Sequence, residues 1–334
     1  MKRTILCLLA LLVLLAACSS PPPAETAPSP AEGTEPPAAD SAGADDTGAD
    51  AAASTAVTFT DALDREITVD RPQRVAVLIG SFTDIWVLAG GQDQLTASAG
   101  DAWVGQGLDL PDTVANLGGS RDLNLELLLD SDPDFIIASA NTKTGLDLQE
   151  FLDQTGVPYA YFIVNTFEDY LDMLNVCTQI TGCTENYQTY GLDVQKQVEA
   201  ARAMADGSAP RVLYVRASGS SVKVKNSEDS VLGEMLADLG CENIADSATS
   251  LLENLSMEVI LEQDPDYIFA VVQGTDNTDA ENMLNNTLLT DPAWNTLTAV
   301  QNGRFHVMDQ ALYNLKPNAE WGIAYENLAR ILYP

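Results

Sequence analysis

The sequence predicts an α/β protein of two lobes, each a mostly parallel sheet flanked by helices, the two joined by a single long helix. Three observations carry this. Apolar runs of strand length alternate with helical patterns, as in sheets covered by helices on both faces. One stretch occurs twice, as Glu126-Leu-Leu-Leu-Asp-Ser-Asp-Pro-Asp-Phe-Ile136 and as Glu258-Val-Ile-Leu-Glu-Gln-Asp-Pro-Asp-Tyr-Ile268. That offset is far longer than a solenoid repeat, so it marks two lobes of similar build. Between the copies, Thr166–Gly207 is predominantly helical. It breaks near Thr181-Gly-Cys183 and resumes for about 23 residues from Thr184 to Asp206, roughly 35 Å at 1.5 Å per residue.

Each copy of the repeat has a local reading. Asn124 and Ser256 are N-caps, so a short helix follows each. Glu126 and Glu258 then lie in first turns, where a carboxylate suits the positive helix end. Asp132 and Asp264 precede prolines, which turns them out of helical geometry and ends each helix. The apolar runs from Phe135 and Tyr267 are buried strands.

The remaining elements follow in order. Alternation over Thr55–Val69 gives a hairpin, with aspartates in its turn. Val75–Ile79 is a buried strand, Gly80–Phe82 a loop, Asp84–Leu88 a helix stopped by Gly90-Gly91. Leu95–Ala99 is a strand, with loops at Asp101–Gly105, Gly119–Arg121 and, after the first repeat, Ser139–Lys143. A helix at Leu148–Gln154 and a strand at Val157–Val164 close the first lobe. The second restarts with a strand at Pro210–Val215 and a loop at Arg216–Ser220. A helix at Val231–Leu239, the second repeat, a strand at Arg304–Met308 and a closing helix at Trp321–Leu332 follow, the last with apolar residues at Ile323, Leu328 and Ile331. In such sheets ligands bind beyond the carboxyl ends of the strands, where these loops lie.

The first residues read as an address. A basic Met-Lys-Arg, a short apolar run and Leu15-Ala-Ala-Cys18 describe a signal peptide over 1–17. Residues 18–54 read as a cysteine followed by an acidic Pro/Ala-rich tether too poor in apolar side chains to fold. The lobes are then expected at 55–166 and 209–334, with the helical linker at 167–208. The balance of 16 Lys+Arg against 49 Asp+Glu, −33 in total, argues against nucleic acid and against electrostatic docking on anionic lipid. Cys177, Cys183 and Cys241 lack zinc-site spacing, and both a Cys177–Cys183 disulfide and simple packing remain open.

With Asp61-Ala-Leu-Asp-Arg-Glu-Ile-Thr-Val69, Pro72-Gln-Arg-Val-Ala-Val77, the two repeats and Lys316-Pro-Asn-Ala-Glu-Trp-Gly322, the chain resembles the class III substrate-binding proteins of bacterial ABC importers. That family serves ferric siderophores, haem and cobalamin. The likeness runs from about Val57 to Pro334; Asp64 departs from it, standing where the family usually has glycine. Leu-Ala-Ala-Cys18 likewise resembles a lipobox, which implies lipidation of Cys18 and anchoring on the outer side of the cell membrane. The resemblance implies two lobes on one rigid helix, a ligand in the cleft between them, no cofactor, and one exposed glutamate per lobe docking on the permease dimer. Glu126 and Glu258 stand in those two places.

The cleft loops carry Ser81, Phe82, Trp103, Arg121, Asn141, Lys143, Arg216, Gln273 and Tyr313. Aromatic faces with a few cations suit a flat or aromatic anion, so the expected ligand is an iron chelate: a ferric siderophore first, haem or cobalamin next. Lys223 and Lys225 alternate on a strand after Arg216, with the cleft rim and a solvated face as the two readings and the solvated face the expected one. A bare metal site is disfavoured because His306 is the single histidine and sits mid-strand. An enzyme is disfavoured too. Ser81 lacks a paired base and the second glycine of a nucleophile elbow, and neither a phosphate loop nor a dinucleotide fingerprint occurs. A surface sensor or scaffold on the same fold is the alternative.

Overall fold

The structure, a computed structural model, describes residues 56–228, 230–274 and 278–334. The expected signal peptide, Cys18 and tether lie outside these residues, as does Thr275. No helix among the described residues is long and apolar enough to cross a membrane.

The hairpin is β1 (Val57–Thr60) and β2 (Glu66–Val69), paired antiparallel. Its turn is built on Asp61, whose carboxylate accepts from the N–H groups of Leu63 and Arg65 and from the Arg65 guanidinium. It also accepts from the N–H of Tyr161, 3.1 Å away, which fastens the hairpin to the first sheet. Burial pushes this carboxyl up, but those hydrogen bonds outweigh it and hold Asp61 below its ordinary value. Asp64 adopts φ 57°, the left-handed geometry that aspartate tolerates where glycine would be usual.

The first sheet contains β3 (Val75–Val77), β4 (Leu95–Ser98), β5 (Ala115–Asn116), β6 (Phe135–Ser139) and β7 (Tyr159–Phe162). Its order is β5-β4-β3-β6-β7, with every pairing parallel. The second contains β8 (Arg211–Ser218), β9 (Ser221–Lys225), β10 (Glu242–Asn243), β11 (Tyr267–Val272) and β12 (Phe305–Met308). Its parallel order is β10-β8-β11-β12, and β9 folds back antiparallel on β8.

The repeated stretch has the same place in both. β6 lies beside β3, the first strand of its sheet, and β11 lies beside β8. The second aspartate of each Asp-Pro-Asp clasps the incoming neighbour. Asp134 accepts from the N–H of Arg74 at 2.9 Å, and Asp266 from that of Arg211 at 2.8 Å. Asp132 and Asp264 both take left-handed φ, 47° and 37°. The motif therefore has a structural task in both sheets: it ends a helix, turns, and pins the register of the next strand.

The helices that frame the cleft and cover the sheets include α1 (Gly80–Leu88), α2 (Asp101–Val104), α3 (Leu125–Asp130), α4 (Phe167–Thr181), α5 (Asp193–Arg202), α6 (Val231–Asp238), α7 (Met257–Gln263), α8 (Gln310–Tyr313) and α9 (Trp321–Leu332). Two expected loops are helical. Gly80–Phe82 forms the first turn of α1, and most of Asp101–Gly105 is α2. The cause is a direct contact: the Gly80 N–H donates to the Asp101 carboxylate at 3.0 Å. A Cβ at Gly80 would lie 2.3 Å from the Ala102 nitrogen, so glycine lets the two chain reversals meet.

Strand alternation divides the core. Val75, Val77, Phe135 and Ile137 face inward with Tyr214, Tyr267 and Phe269 of the other sheet, in one cluster that also holds α4, α5 and α9 side chains. Ala76, Ile136 and Ala138 face the outer layer of the first sheet, and Leu213, Val215, Ile268 and Ala270 that of the second. The inner cluster is continuous through both lobes along the helical connection.

That connection begins with α4, capped by Thr166 and Asp169 in a reciprocal box and stopped by Gly182 at φ 81°. It resumes as a continuous helix from Glu185 to Arg202, through a π turn at Gln188–Leu192. This piece is shorter than expected because its last turn tightens, Met204 donating to the Ala201 carbonyl, ahead of left-handed Gly207 and Ala209. α5 then packs on α9. The buried face of α9 is Trp321, Gly322, Ala324, Tyr325, Leu328, Ala329 and Leu332, while Ile323 points outward, 47% exposed. Cys177, Cys183 and Cys241 are free thiols, Cys177 and Cys241 buried.

Candidate functional site

A cavity of about 580 Å³ opens between the two sheets. The first lobe supplies residues that follow its strands: Ile79 and Ser81 after β3, Asp101 after β4, Ser139 and Asn141 at the end of β6, Asn165 after β7. Ser120 and Arg121 come from the loop before α3. The second lobe supplies Tyr214 and Arg216 on β8, Lys225 ending β9, Ser230 before α6, Gln273 after β11 and Tyr313–Lys316 at the end of α8. The carboxyl ends of both parallel sheets thus converge on one cleft.

Of the nine residues expected there, Ser81, Arg121, Asn141, Arg216, Gln273 and Tyr313 line the cavity. Three do not. Phe82 is wholly buried in the inner core, because α1 starts at Gly80 and turns that side chain inward. Trp103 is half-buried on α2 and packs against the same core. Lys143 points to solvent, its side chain 85% exposed and paired with Asp147 one helical turn on at 2.6 Å. An aromatic platform in the cleft is thereby lost. The aromatics that line it are Tyr214 and Tyr313, and the Tyr313 hydroxyl donates to the Ala324 carbonyl at 3.0 Å. That hydroxyl is buried, which raises its pKa and makes ionisation for iron ligation unfavourable.

Several lining residues escaped the sequence reading. Tyr214 shares the face of β8 with Arg216 two residues on, a period-two signal that was available. Lys225 lines the cavity while Lys223 is exposed, so the alternating pair divides between cleft and solvent. Lys316 was legible only as part of a motif. Asp101 lay in a loop expected at the cleft without being singled out, and nothing local marked Ser230.

The charge of the cleft opposes that of the chain. Among the described residues four of the 16 Lys and Arg line it, Arg121, Arg216, Lys225 and Lys316, against one carboxylate, Asp101. Arg121, Arg216 and Lys316 form no ion pair among the described residues. Arg216 is positioned by a 3.4 Å hydrogen bond to the Asn314 amide oxygen. Burial lowers the Lys316 ammonium to about 8; Asp169 works against that shift and Arg216 adds to it. Burial also raises the Asp101 carboxyl, against the hydrogen bond from Gly80. The Tyr214 hydroxyl, pushed up to about 12 by burial, has no hydrogen-bond partner among the described residues, nor has the buried Ser230 hydroxyl.

Glu126 and Glu258 are both exposed in the first turns of α3 and α7. Their helices are capped as expected, the Asn124 side chain accepting from Leu127 at 3.0 Å and Ser256 from Val259 at 3.4 Å. Neither carboxylate forms an ion pair among the described residues. His306 stacks on Phe269 and Tyr267 in the sheet, and burial lowers its pKa. Among the described residues no group of His, Cys, Asp and Glu is placed to hold a metal ion.

Residues 75–312 match the family described as periplasmic binding protein. Solved structures with the same fold include the apo periplasmic heme-binding protein RhuT from Roseiflexus sp. RS-1, at TM-score 0.63 and 20% identity, covering 78% of this chain and 98% of that one. Staphylococcus aureus SirA complexed with staphyloferrin B matches at TM-score 0.61 and 18% identity over 83% of this chain and 97% of its own. The Vibrio cholerae periplasmic vitamin B12 binding protein BtuF matches at 0.62 and 20% over 78% and 97%. No curated protein is matched by sequence.

Proposed function

The chain belongs to the periplasmic binding protein family, of the class III type, and from that premise we propose that it captures an iron chelate outside the cytoplasm and delivers it to an ABC permease. The observation that carries this reading is the cleft itself: polar and cationic groups from two sheets converge on a space of about 580 Å³. Relatives of this fold are described as binding haem, staphyloferrin B and vitamin B12. A ferric siderophore heads the list here, because Phe82 and Trp103, two of the aromatic side chains expected for a flat ligand, pack away from the cleft. The family consists of binding proteins, and capture needs no chemistry.

In this reading the lobes are 55–166 and 209–334, held by the linker 167–208, and lipidated Cys18 anchors the protein through its tether. Lobe motion is small, since one apolar core runs through both lobes along the spine. Large compaction on ligand binding, seen by small-angle scattering, would contradict this. Glu126 and Glu258, exposed on capped helix ends, dock on permease cations by charge-assisted contacts. The test is uptake of iron supplied as a chelate that the protein binds. In a Glu126→Ala/Glu258→Ala double variant uptake should fall to background while binding by the isolated protein is unchanged. Undiminished uptake sinks the docking role.

A further inference from the structure

We infer that the cleft selects a ferric chelate of net negative charge, presenting carboxylate or phenolate oxygens to the second-lobe wall formed by Tyr214, Arg216, Lys225, Ser230 and Lys316, with Arg121 facing them. This rests on the capture reading and narrows it to one ligand class. Two independent features point to it. Cations are concentrated in the cleft of a chain whose net charge is −33, and among the described residues Arg121, Arg216 and Lys316 form no ion pair. Collected like charges repel unless an anion sits among them, so the arrangement is complementary to a multiply charged guest.

The second feature is a pair of buried hydroxyls. Tyr214 is 0% exposed and Ser230 7%, both line the cleft, and neither hydroxyl has a hydrogen-bond partner among the described residues. Buried polar groups are nearly always satisfied, and a hydroxyl left open at a cavity wall is placed to donate to an acceptor brought in by a ligand. Oxyanions of a chelate accept from both hydroxyls and from the Arg216 guanidinium, whose planar fork matches a carboxylate. A cationic hydroxamate chelate meets repulsion instead. A neutral corrinoid leaves the cations unused, and a porphyrin meets as aromatics only the buried Tyr214 and Tyr313 among the described residues.

The test is direct binding of four probes to the intact protein at low and moderate salt: ferric citrate, the ferric tris-catecholate of 2,3-dihydroxybenzoate, the cationic ferric complex of desferrioxamine B, and cyanocobalamin. Haemin is the fifth arm. Either anionic probe should bind at least about tenfold more tightly than the cationic and neutral ones, and should weaken with salt. Arg216→Gln and Lys316→Gln should each lose about tenfold or more for the anionic probe. Lys143→Gln, which removes a cation outside the cleft, should leave it unchanged. Thermal unfolding of each unliganded variant checks that it still folds. Tight haemin, cobalamin or cationic binding unaffected by the two variants overturns the charge selection and leaves capture standing. No binding of any of the five overturns the capture reading and this inference with it.

Discussion

Lys316 sits in the cleft as an ammonium that the fold disfavours, so replacing it with methionine, similar in length and uncharged, should stabilise the unliganded protein. Burial takes its pKa from 10.5 to about 8. At about 1.36 kcal/mol per pH unit that difference caps the penalty at about 3 kcal/mol. The side chain retains solvent contact at the open cleft, which reduces the figure to on the order of 2 kcal/mol. The penalty belongs to the charged form. It is complete below the folded pKa of about 8 and shrinks as pH rises, because the unfolded chain then holds a proton that the folded chain has released. It is gone above about 10.5. Urea unfolding of wild type and Lys316→Met should therefore differ by about 2 kcal/mol at pH 7, a melting-temperature gain of a few degrees, and converge toward pH 10.5. Asp169 keeps its partners in the variant, since it accepts from the Asn165 and Thr166 N–H groups. A variant equal to or less stable than wild type at pH 7, or a gain independent of pH between 8 and 10.5, refutes the reasoning. The same substitution should weaken an anionic probe, so stability and binding move in opposite directions at this residue.

Other outcomes follow from the same contacts. Asp266→Ala removes the acceptor for the Arg211 N–H and should cost about 1–3 kcal/mol by urea unfolding. Gly322→Leu forces α9 away from α5, since even a Cβ there would lie 2.6 Å from the Gln197 Cβ; destabilisation of about 1–3 kcal/mol is expected, read as a lowered melting temperature. Trp103→Phe should leave chelate affinity by calorimetry within about twofold of wild type, because that ring packs on the core rather than lining the cleft, and such a change is under about 0.5 kcal/mol. Tyr313→Phe should lose about 1 kcal/mol of stability with its bond to Ala324 and leave any haemin spectrum unaltered.

Much of the architecture was legible because its signals are local. Strand length, period-two alternation and proline or glycine stops placed β3, β4, β6, β7, β8, β11 and β12, and the caps at Asn124 and Ser256 placed α3 and α7. The elements misread were those set by contacts distant in sequence. Gly80–Phe82 looked like a loop because the bond that starts α1 there comes from Asp101, twenty-one residues on. Ile323 looked like part of the inner face of α9, but α5 packs where small residues let it approach, and that turns Ile323 outward.

Propensity, capping and apolar periodicity act within a few residues, and they sufficed for the two-lobe α/β plan, the duplicated helix–turn–strand unit and the loops from which a binding cleft would be drawn. Packing between distant segments set which loop side chains face the cleft. Phe82, Trp103 and Lys143 share their loops with lining residues, and one helical residue of rotation separates Ser81 at the wall from Phe82 in the core. It also brought Arg121, Arg216, Lys225 and Lys316 together from four separate segments. Burial among them is what makes Lys316 titrate low and leaves two hydroxyls open, for desolvation depends on the packed surroundings and not on the residue's neighbours in the chain.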